Sequence, residues 1–408
     1  MSLEDQVWTA DDAISFVKRQ GIYAEAERLQ AVEIGDGNLN YVFRIQSADR
    51  DKGVIVKKAV PFLRVVGETW PLTEERASIE AAALRFQNEV ASGYVPEVYA
   101  YNPDDHAIAM EDLSDLEVMR SALIKGEHFP LFTKHAAEFL ARTLFWSSDR
   151  SGKITEKKER AAAMVNPQLC EITERLILSE PFYDAPGNRI EGGLEEDVEK
   201  LWGDTEVIDT VFSLKDKFMS CGQALVHGDL HTGSIMVDQA QTRMIDPEFA
   251  FYGPIGFDPG LLFANLVLNM IHHEVLGHSP SYREYLLAAV EDIWTRFTDE
   301  FCELWRVTSY DGVFHNDRTE HSYILGVLQD TCGYAGCEMI RRTIGLASVA
   351  DLADIQEEKA RIAAKKASLV IGSDLIKLSS RAESIDEFVA VAKSLDISPV
   401  VTPSGTER

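Results

Sequence analysis

Two acidic stretches on either side of a short apolar hairpin constrain this chain more than any other feature. The first is Val226-His227-Gly228-Asp229-Leu230-His231-Thr232-Gly233-Ser234-Ile235-Met236-Val237, and the second is Arg243-Met244-Ile245-Asp246-Pro247-Glu248-Phe249. Ile235–Val237 and Met244–Ile245 read as short buried strands, with a turn at Asp238–Thr242 between them. Asp229 then precedes the first strand and Asp246 follows the second, at the same end of the hairpin. Two carboxylates aimed at one spot from rigid supports suit phosphoryl transfer. One would orient an attacking hydroxyl, and the other would hold Mg²⁺ on the β- and γ-phosphates.

Bulk properties narrow the remaining choices. A chain of 408 residues is long enough for two domains or one two-lobed unit. Its net charge of −27 argues against nucleic acid or an anionic membrane as partner. No apolar run has the length of a bilayer span, and the first residues lack a charged-then-apolar signal segment. Cys170, Cys221, Cys302, Cys332 and Cys337 show no metal-ligand spacing and read as reduced thiols, which leads us to expect a cytoplasmic protein.

Taken in order, the chain opens on a capping box at Thr9-Ala10-Asp11-Asp12, with Ala13, Phe16 and Val17 at helical spacing and Gly21 as the stop. Val32–Ile34 and Tyr41–Ile45 flank Gly35-Asp36-Gly37-Asn38-Leu39-Asn40, a strand–turn–strand pattern. Gly35 and Gly37 would let the backbone approach phosphates closely, and Asn40 closes the pattern. Val54–Ala59 is a third strand. Lys57 at its apolar end needs a partner, and Glu80 on the following helix is the best one. Lys58 points to the opposite face. Trp70 lies in a Gly- and Pro-containing stretch, Val65–Leu72, that reads as a lid to cover a sugar or to exclude water. Val95–Tyr99 and Ala107–Met110 complete a five-stranded antiparallel sheet. Beyond about residue 117 the chain reads as mostly helical, with helices at Phe132–Ser147 and within Trp202–Met219, amphipathic helices at Leu261–His272 and Tyr282–Phe301, and a surface loop at Glu180–Gly193. In the small and apolar run Gly333–Ala347, Arg341 and Arg342 need anionic partners. Adjacent helix positions diverge by about 100°. One arginine is therefore expected to reach a transferred phosphoryl group or substrate, and the other to make a structural ion pair.

His-Gly-Asp-Leu-His followed by an Asp-centred second motif resembles the catalytic loop of the protein-kinase-like small-molecule kinases, the superfamily of the aminoglycoside and choline kinases. Two departures stand out. Ser234 occupies the position where that superfamily has a metal-binding Asn, and Asp246-Pro247-Glu248 replaces the usual second motif. Glu248 offers another hard oxygen that could fill the vacated coordination. The glycine loop, Val65–Leu72, Asp246-Pro247-Glu248-Phe249-Ala250-Phe251-Tyr252-Gly253-Pro254 and Arg341-Arg342-Thr343-Ile344-Gly345 together resemble the S-methyl-5-thioribose kinase family, from about residue 30 to about residue 370.

The resemblance implies an α+β, bilobal protein-kinase-like fold. Residues 1–110 would form the small lobe, 111–116 the hinge, 117–398 the catalytic and substrate lobe, and 399–408 a tail. It implies ATP and Mg²⁺ as cofactors, methylthioribose as the small-molecule partner, and a homodimer. Asp229 would serve as base, with Arg341 and Arg342 beside it. The nucleotide would meet Gly35, Gly37, Asn40, Lys57, the backbone of Glu111, Asp112 and Leu113, and Asp246-Pro247-Glu248, with Asp246 and Glu248 on the metal. The substrate would meet Trp70, Asp229, Arg341 and Arg342. Asp258 resembles the aspartate that braces the catalytic loop in that superfamily. Two other readings stay open: a kinase for another small hydroxyl substrate of aminoglycoside, choline or homoserine type, and a nucleotide-binding pseudokinase scaffold.

Overall fold

The computed structural model describes residues 7–34, 40–50, 52–63, 67–308, 310 and 312–394. The chain divides into two compact units. The first runs to Leu116 and takes in Arg243–Ala250, and the second holds Glu117–Thr242 and everything from Phe251 onward. The second acidic stretch thus belongs with the N-terminal residues and not with the helical remainder in which the sequence reading placed it.

In the first unit, α1 (Ala10–Arg19) is started by the expected capping box. Asp12 Oδ2 accepts the Thr9 N–H at 2.8 Å, and Thr9 Oγ1 accepts the Asp12 N–H at 3.4 Å. The strands are β1 (Leu29–Glu33), β2 (Asn40–Ser47), β3 (Val54–Ala59), the short pair β4 (Phe62–Leu63) and β5 (Gly67–Pro71), then β6 (Val98–Asn102) and β7 (Ala107–Glu111). Among the described residues β1-β2-β3-β7-β6 form one sheet, antiparallel throughout. Alternation along the strands sorts its two faces. Phe43, Ile45, Val54, Val56, Ala107 and Ala109 form a core with Ala13, Phe16 and Val17 of α1. Lys57 has the opposite parity on β3 and meets α2 (Arg76–Val90) through Glu80. Glycines 35 and 37 lie outside the described residues, as do Val65 and Val66 of the expected lid. Trp70 lies on β5, but its side chain is likewise outside the description.

The second unit begins with β8 (Glu117–Val118) and α3 (Met119–Ile124), followed by α4 (Phe132–Ser147), α5 (Ile154–Ala163), α6 (Pro167–Leu176), α7 (Glu195–Gly203) and α8 (Thr205–Ser220). β9 (Ala224–Val226) pairs with β12 (Phe251–Gly253), and β10 (Ile235–Val237) with β8. Asp238 closes the turn after β10 tightly. Its Oδ1 accepts the N–H groups of Ala240 and Gln241 at 2.7 and 2.6 Å, so β11 (Thr242–Met244) starts two residues earlier than the expected Met244. The rest is α9 (Phe257–Val275), α10 (Pro280–Thr308), α11 (Asp317–Ile344), α12 (Ala350–Ala353), α13 (Glu358–Leu378) and α14 (Ile385–Lys393).

Helix α9 departs from the expected amphipathic pattern and is buried on all sides, because α10, α11 and α13 pack around it. Small residues set the closest approach in this unit. A Cβ on Gly336 of α11 would collide with the Gly372 carbonyl oxygen of α13. The expected surface loop after α6 is anchored inward, with Pro181 and Phe182 buried in a single 3₁₀ turn.

Candidate active site

The first unit gathers one cluster of charge. Lys57 Nζ lies 2.9 Å from Glu80 Oε1 and 2.9 Å from Asp246 Oδ1. Burial opposes that charge, but Asp246, Glu248 and Glu80 outweigh it and hold the Lys57 pKa above its ordinary value. Burial pushes Glu80 upward more than Lys57 pulls it down, and Asp246 and Glu248 add to the push.

Asp246 takes a left-handed backbone, φ +64°, and Pro247 starts a 3₁₀ turn directly after it. That is a costly conformation for a residue with a Cβ. It leaves the Asp246 side chain half-exposed, at 50%. Glu248 is held differently. Its Oε2 accepts Asn40 Nδ2–H at 3.0 Å and lies 3.3 Å from Arg76 Nε, while Arg76 Nη2 reaches Asn40 Oδ1 at 3.3 Å. Arg76 is fully buried. It was not legible as a site residue, since one arginine in a helix's first turn usually faces water.

At the end of β7, Glu111 N–H donates to Glu97 O at 2.8 Å, and the Glu111 carboxylate meets Arg243 at 3.5 Å. Asp112 accepts from Arg44 Nε at 2.7 Å and from the Ser114 N–H at 2.9 Å. Leu113 O accepts the Leu116 N–H at 2.9 Å. These contacts fix the backbone of 111–116 through side chains and a local turn.

The second unit carries Asp229. Gly228, at φ +85°, turns the chain after β9 in a conformation that only glycine adopts freely. Asp258 in the first turn of α9 accepts the N–H groups of His227 and Gly228 at 2.6 and 3.0 Å, which is the brace expected of it. Ser234 closes the loop from the other side. Its Oγ accepts the His231 N–H at 2.9 Å and lies 2.9 Å from the Asp229 carbonyl, to which it donates. Ser234 thus stabilises the loop's shape.

His231 Nδ1 accepts the N–H groups of Gly233 and Ser234 at 3.0 and 3.1 Å, so the neutral ring carries its proton on Nε2, 3.4 Å from Asp229 Oδ2. Burial lowers the His231 pKa despite the pull of Asp229. Burial alone would raise the Asp229 pKa, but His231, Arg341 and Arg342 outweigh it and hold the carboxyl well below the ordinary range. Because the imidazole is neutral, the two guanidiniums supply the lasting charge. The Asp229 side chain remains 29% exposed, so an ionised carboxylate is accessible from outside.

Both arginines serve the same two groups, contrary to the expected division of labour. Arg341 Nε lies 2.5 Å from Glu338 Oε2 and Arg342 Nε 2.7 Å from Glu338 Oε1. Their Nη2 atoms lie 3.4 and 3.8 Å from one atom, Asp229 Oδ1. The divergence of adjacent helix positions is overcome because Glu338 is i−3 to one arginine and i−4 to the other, the two spacings that share a face. Among the described residues Arg342 Nη2 has no hydrogen-bond partner, although it is buried.

Behind Glu338 runs a polar chain that sequence reading missed. Asn265 Nδ2 donates to Glu338 Oε1 at 3.2 Å, and Asn265 Oδ1 accepts from Arg120 Nη2 at 2.9 Å. Arg120 Nε faces Asp351 Oδ2 at 3.4 Å, and Asp351 Oδ1 accepts from Asn269 at 2.8 Å. Asn265 and Asn269, four residues apart in the otherwise apolar run Leu261–Ile271, were the available signal.

An ionised, accessible aspartate thus sits on a braced loop with two guanidiniums beside it. The phosphotransferase enzyme family matches residues 30–299. The methylthioribose kinase of Geobacillus sp. (strain WCH70) is 45% identical over 369 residues, covering 90% of this chain and 91% of that protein. The methylthioribose kinase of Bacillus pumilus (strain SAFR-032) is 42% identical over 383 residues, covering 94% and 96%. A solved glucosamine kinase complex with glucosamine, ADP and inorganic phosphate is 15% identical, with a TM-score of 0.47 and coverage of 90% and 86%. The chain belongs to the phosphotransferase enzyme family and, within it, to the methylthioribose kinases.

Proposed function

We propose that the protein transfers the γ-phosphoryl group of ATP to the anomeric hydroxyl of S-methyl-5-thio-D-ribose, giving the 1-phosphate and ADP, as a step of methionine salvage. The observation that carries this reading is Asp229: ionised, open to one side and flanked by paired arginines. Asp229 accepts a hydrogen bond from the sugar O1 hydroxyl and takes its proton as the bond to phosphorus forms. Arg341 and Arg342 stabilise charge on the transferred group's oxygens, and the orphan Arg342 Nη2 donor supports that assignment. Lys57 binds the α- and β-phosphates, and the backbone of Glu111–Leu113 reads the adenine edge.

Asp246 and Glu248 present hard carboxylate oxygens, and Asp246 is half-exposed, so this donor set fits Mg²⁺. When bound, the ion would neutralise charge on the β- and γ-phosphates. Asn40 and Arg76 set the direction of the Glu248 carboxylate before any ligand arrives. The family resemblance supports a homodimer working in the cytoplasm, and the charge of −27 disfavours nucleic acid and anionic membranes as partners.

The test is ADP release, measured with methylthioribose, ribose, choline and kanamycin under one set of conditions. Methylthioribose should exceed ribose by about 10–200-fold in kcat/KM, the value of a small apolar group in a fitted pocket, and kanamycin should be inert beside two arginines. Kanamycin turnover comparable to the sugars would defeat the assignment.

A further inference from the structure

The mechanism above gives roles to Arg341, Arg342 and Asp229 but none to the residue that touches both arginines. Glu338 is fully buried on α11, and a buried carboxylate is costly unless it is paired and hydrogen-bonded. Here it has three donors: Arg341 Nε, Arg342 Nε and Asn265 Nδ2. Asn265 Oδ1 is tied to Arg120, and Arg120 faces Asp351, so the carboxylate plane is fixed from α9, α3 and α12 as well as from its own helix.

The geometry of the pairing matters. Glu338 takes each guanidinium by its inner Nε and leaves the outer nitrogens to other partners. Those nitrogens lie 3.4 and 3.8 Å from Asp229 Oδ1, so Arg341 Nη2 makes only a long hydrogen bond to it and Arg342 Nη2 makes none. Charge-assisted N–H···O bonds close to about 2.7–2.9 Å when nothing prevents it. The arginines are therefore held off the aspartate. The charges also balance: Arg341 and Arg342 against Glu338 and Asp229. Without Glu338, two cations would face one aspartate and would close on it, tying up both the base and the donors.

We propose that Glu338 is a positioning residue for phosphoryl transfer: by holding the Nε of both Arg341 and Arg342, it keeps their outer nitrogens from closing on Asp229 and leaves them available to the substrate's oxygens. The proposal rests on the kinase reading above. A misplacement of about 1 Å in such a group costs up to about 100-fold in rate.

The experiment compares Glu338→Gln, Glu338→Asp and the parent by steady-state kinetics with methylthioribose and ATP, by calorimetric ATP binding and by thermal melting. Glu338→Gln should lose about 10–100-fold in kcat/KM for the sugar, with ATP affinity within about twofold of the parent. Glu338→Asp keeps the charge but sets it one methylene back. It should melt like the parent and fall between parent and Glu338→Gln in sugar kcat/KM, and it carries the test alone if Glu338→Gln does not fold. In the Glu338→Gln background, or in Glu338→Asp if need be, Arg341→Lys should cost less than it does in the parent, since the seat it depends on is already lost. A merely structural Glu338 would lower melting temperature and active fraction while leaving the sugar parameters of the folded enzyme unchanged, and that result overturns the proposal. An active parent with Glu338→Asp indistinguishable from it also overturns the proposal but leaves the kinase reading standing. A parent that does not phosphorylate the sugar removes the kinase reading itself.

Discussion

In the first unit one lysine serves two carboxylates, whereas in the second two arginines share two carboxylates. Lys57 is a point charge 2.9 Å from both Glu80 and Asp246, and Arg76 holds Glu248 nearby. Three carboxylates against two cations leave −3 + 2 = −1 when all are ionised. Around Asp229, Glu338, Arg341 and Arg342 the count is −2 + 2 = 0. The difference is chemical as well as numerical. An ammonium can turn from one oxygen to another at little cost, so Lys57 can exchange a carboxylate for a phosphate. Guanidiniums seated by their Nε atoms cannot. The first cluster can rearrange its contacts, and the second holds its donors fixed.

The largest expected effect tests the fixed half. Asp229→Asn should lose about 10²–10⁴-fold in turnover, the range of a general base, while calorimetric ATP binding stays near that of the parent. Turnover close to the parent's at saturating sugar would remove Asp229 from its role.

Next come the paired arginines. Arg341→Lys and Arg342→Lys keep charge but lose the planar fork. Because both seat on Glu338 and both face Asp229 Oδ1, each should lose turnover, by about 10–100-fold, and the double variant should lose less than the product of the two. If one variant loses only melting temperature, the shared seat is not how the pair works, and the contrast with Lys57 weakens.

That pair also marks where sequence reading stopped. The sheet, the first helix's cap and the Lys57–Glu80 pair were legible because each rests on local rules: alternation along a strand, a Thr-to-Asp box, a buried lysine needing an anion. Adjacent arginines diverge on a helix, but the acidic residue three and four positions before them brings both to one face. Arg120, Asn265 and Asp351 were illegible for a different reason. Their contacts join residues 120, 265, 338 and 351, and no single window of sequence contains them. Arg243–Ala250 was assigned by chain order to the helical part, whereas it packs with the N-terminal sheet's helix α2.

A smaller effect is expected from Glu248→Gln. The amide keeps the shape and can still accept from Asn40, but it removes the carboxylate charge beside buried Arg76, a loss of about 1–3 kcal/mol in stability. It should also raise the Mg²⁺ concentration needed for half-maximal turnover more than it weakens Mg²⁺-free nucleotide binding. A magnesium titration that overlays the parent's, with a lowered melting temperature, would make Glu248 purely a partner of Arg76.

The smallest effect decides whether the first cluster really carries surplus charge. Glu80 is pushed up by burial and by Asp246 and Glu248, against the pull of Lys57. A carboxyl whose folded pKa lies above its unfolded value of 4.5 binds its proton more tightly in the native state. Its stabilising contribution is therefore complete below 4.5 and is lost as pH rises through the folded value. Glu338 runs the other way. Burial would raise its pKa, but Arg341 and Arg342 bring it down to about 2, so its contribution is present above 4.5 and is lost only as pH falls toward 2. Between pH 5 and 8, Glu338 is thus ionised in both states and adds no slope, while Glu80 does. Melting temperature measured across that range should show the Glu80→Gln variant gaining on the parent as pH rises, while Glu338→Gln stays a constant interval below it. A constant interval for Glu80→Gln as well would mean that Lys57 keeps Glu80 fully ionised. The first cluster then holds its whole −1, and the contrast with the balanced second cluster is at its strongest. The expected slope instead means that Glu80 sheds part of that surplus by keeping a proton, up to the pH at which the slope ends.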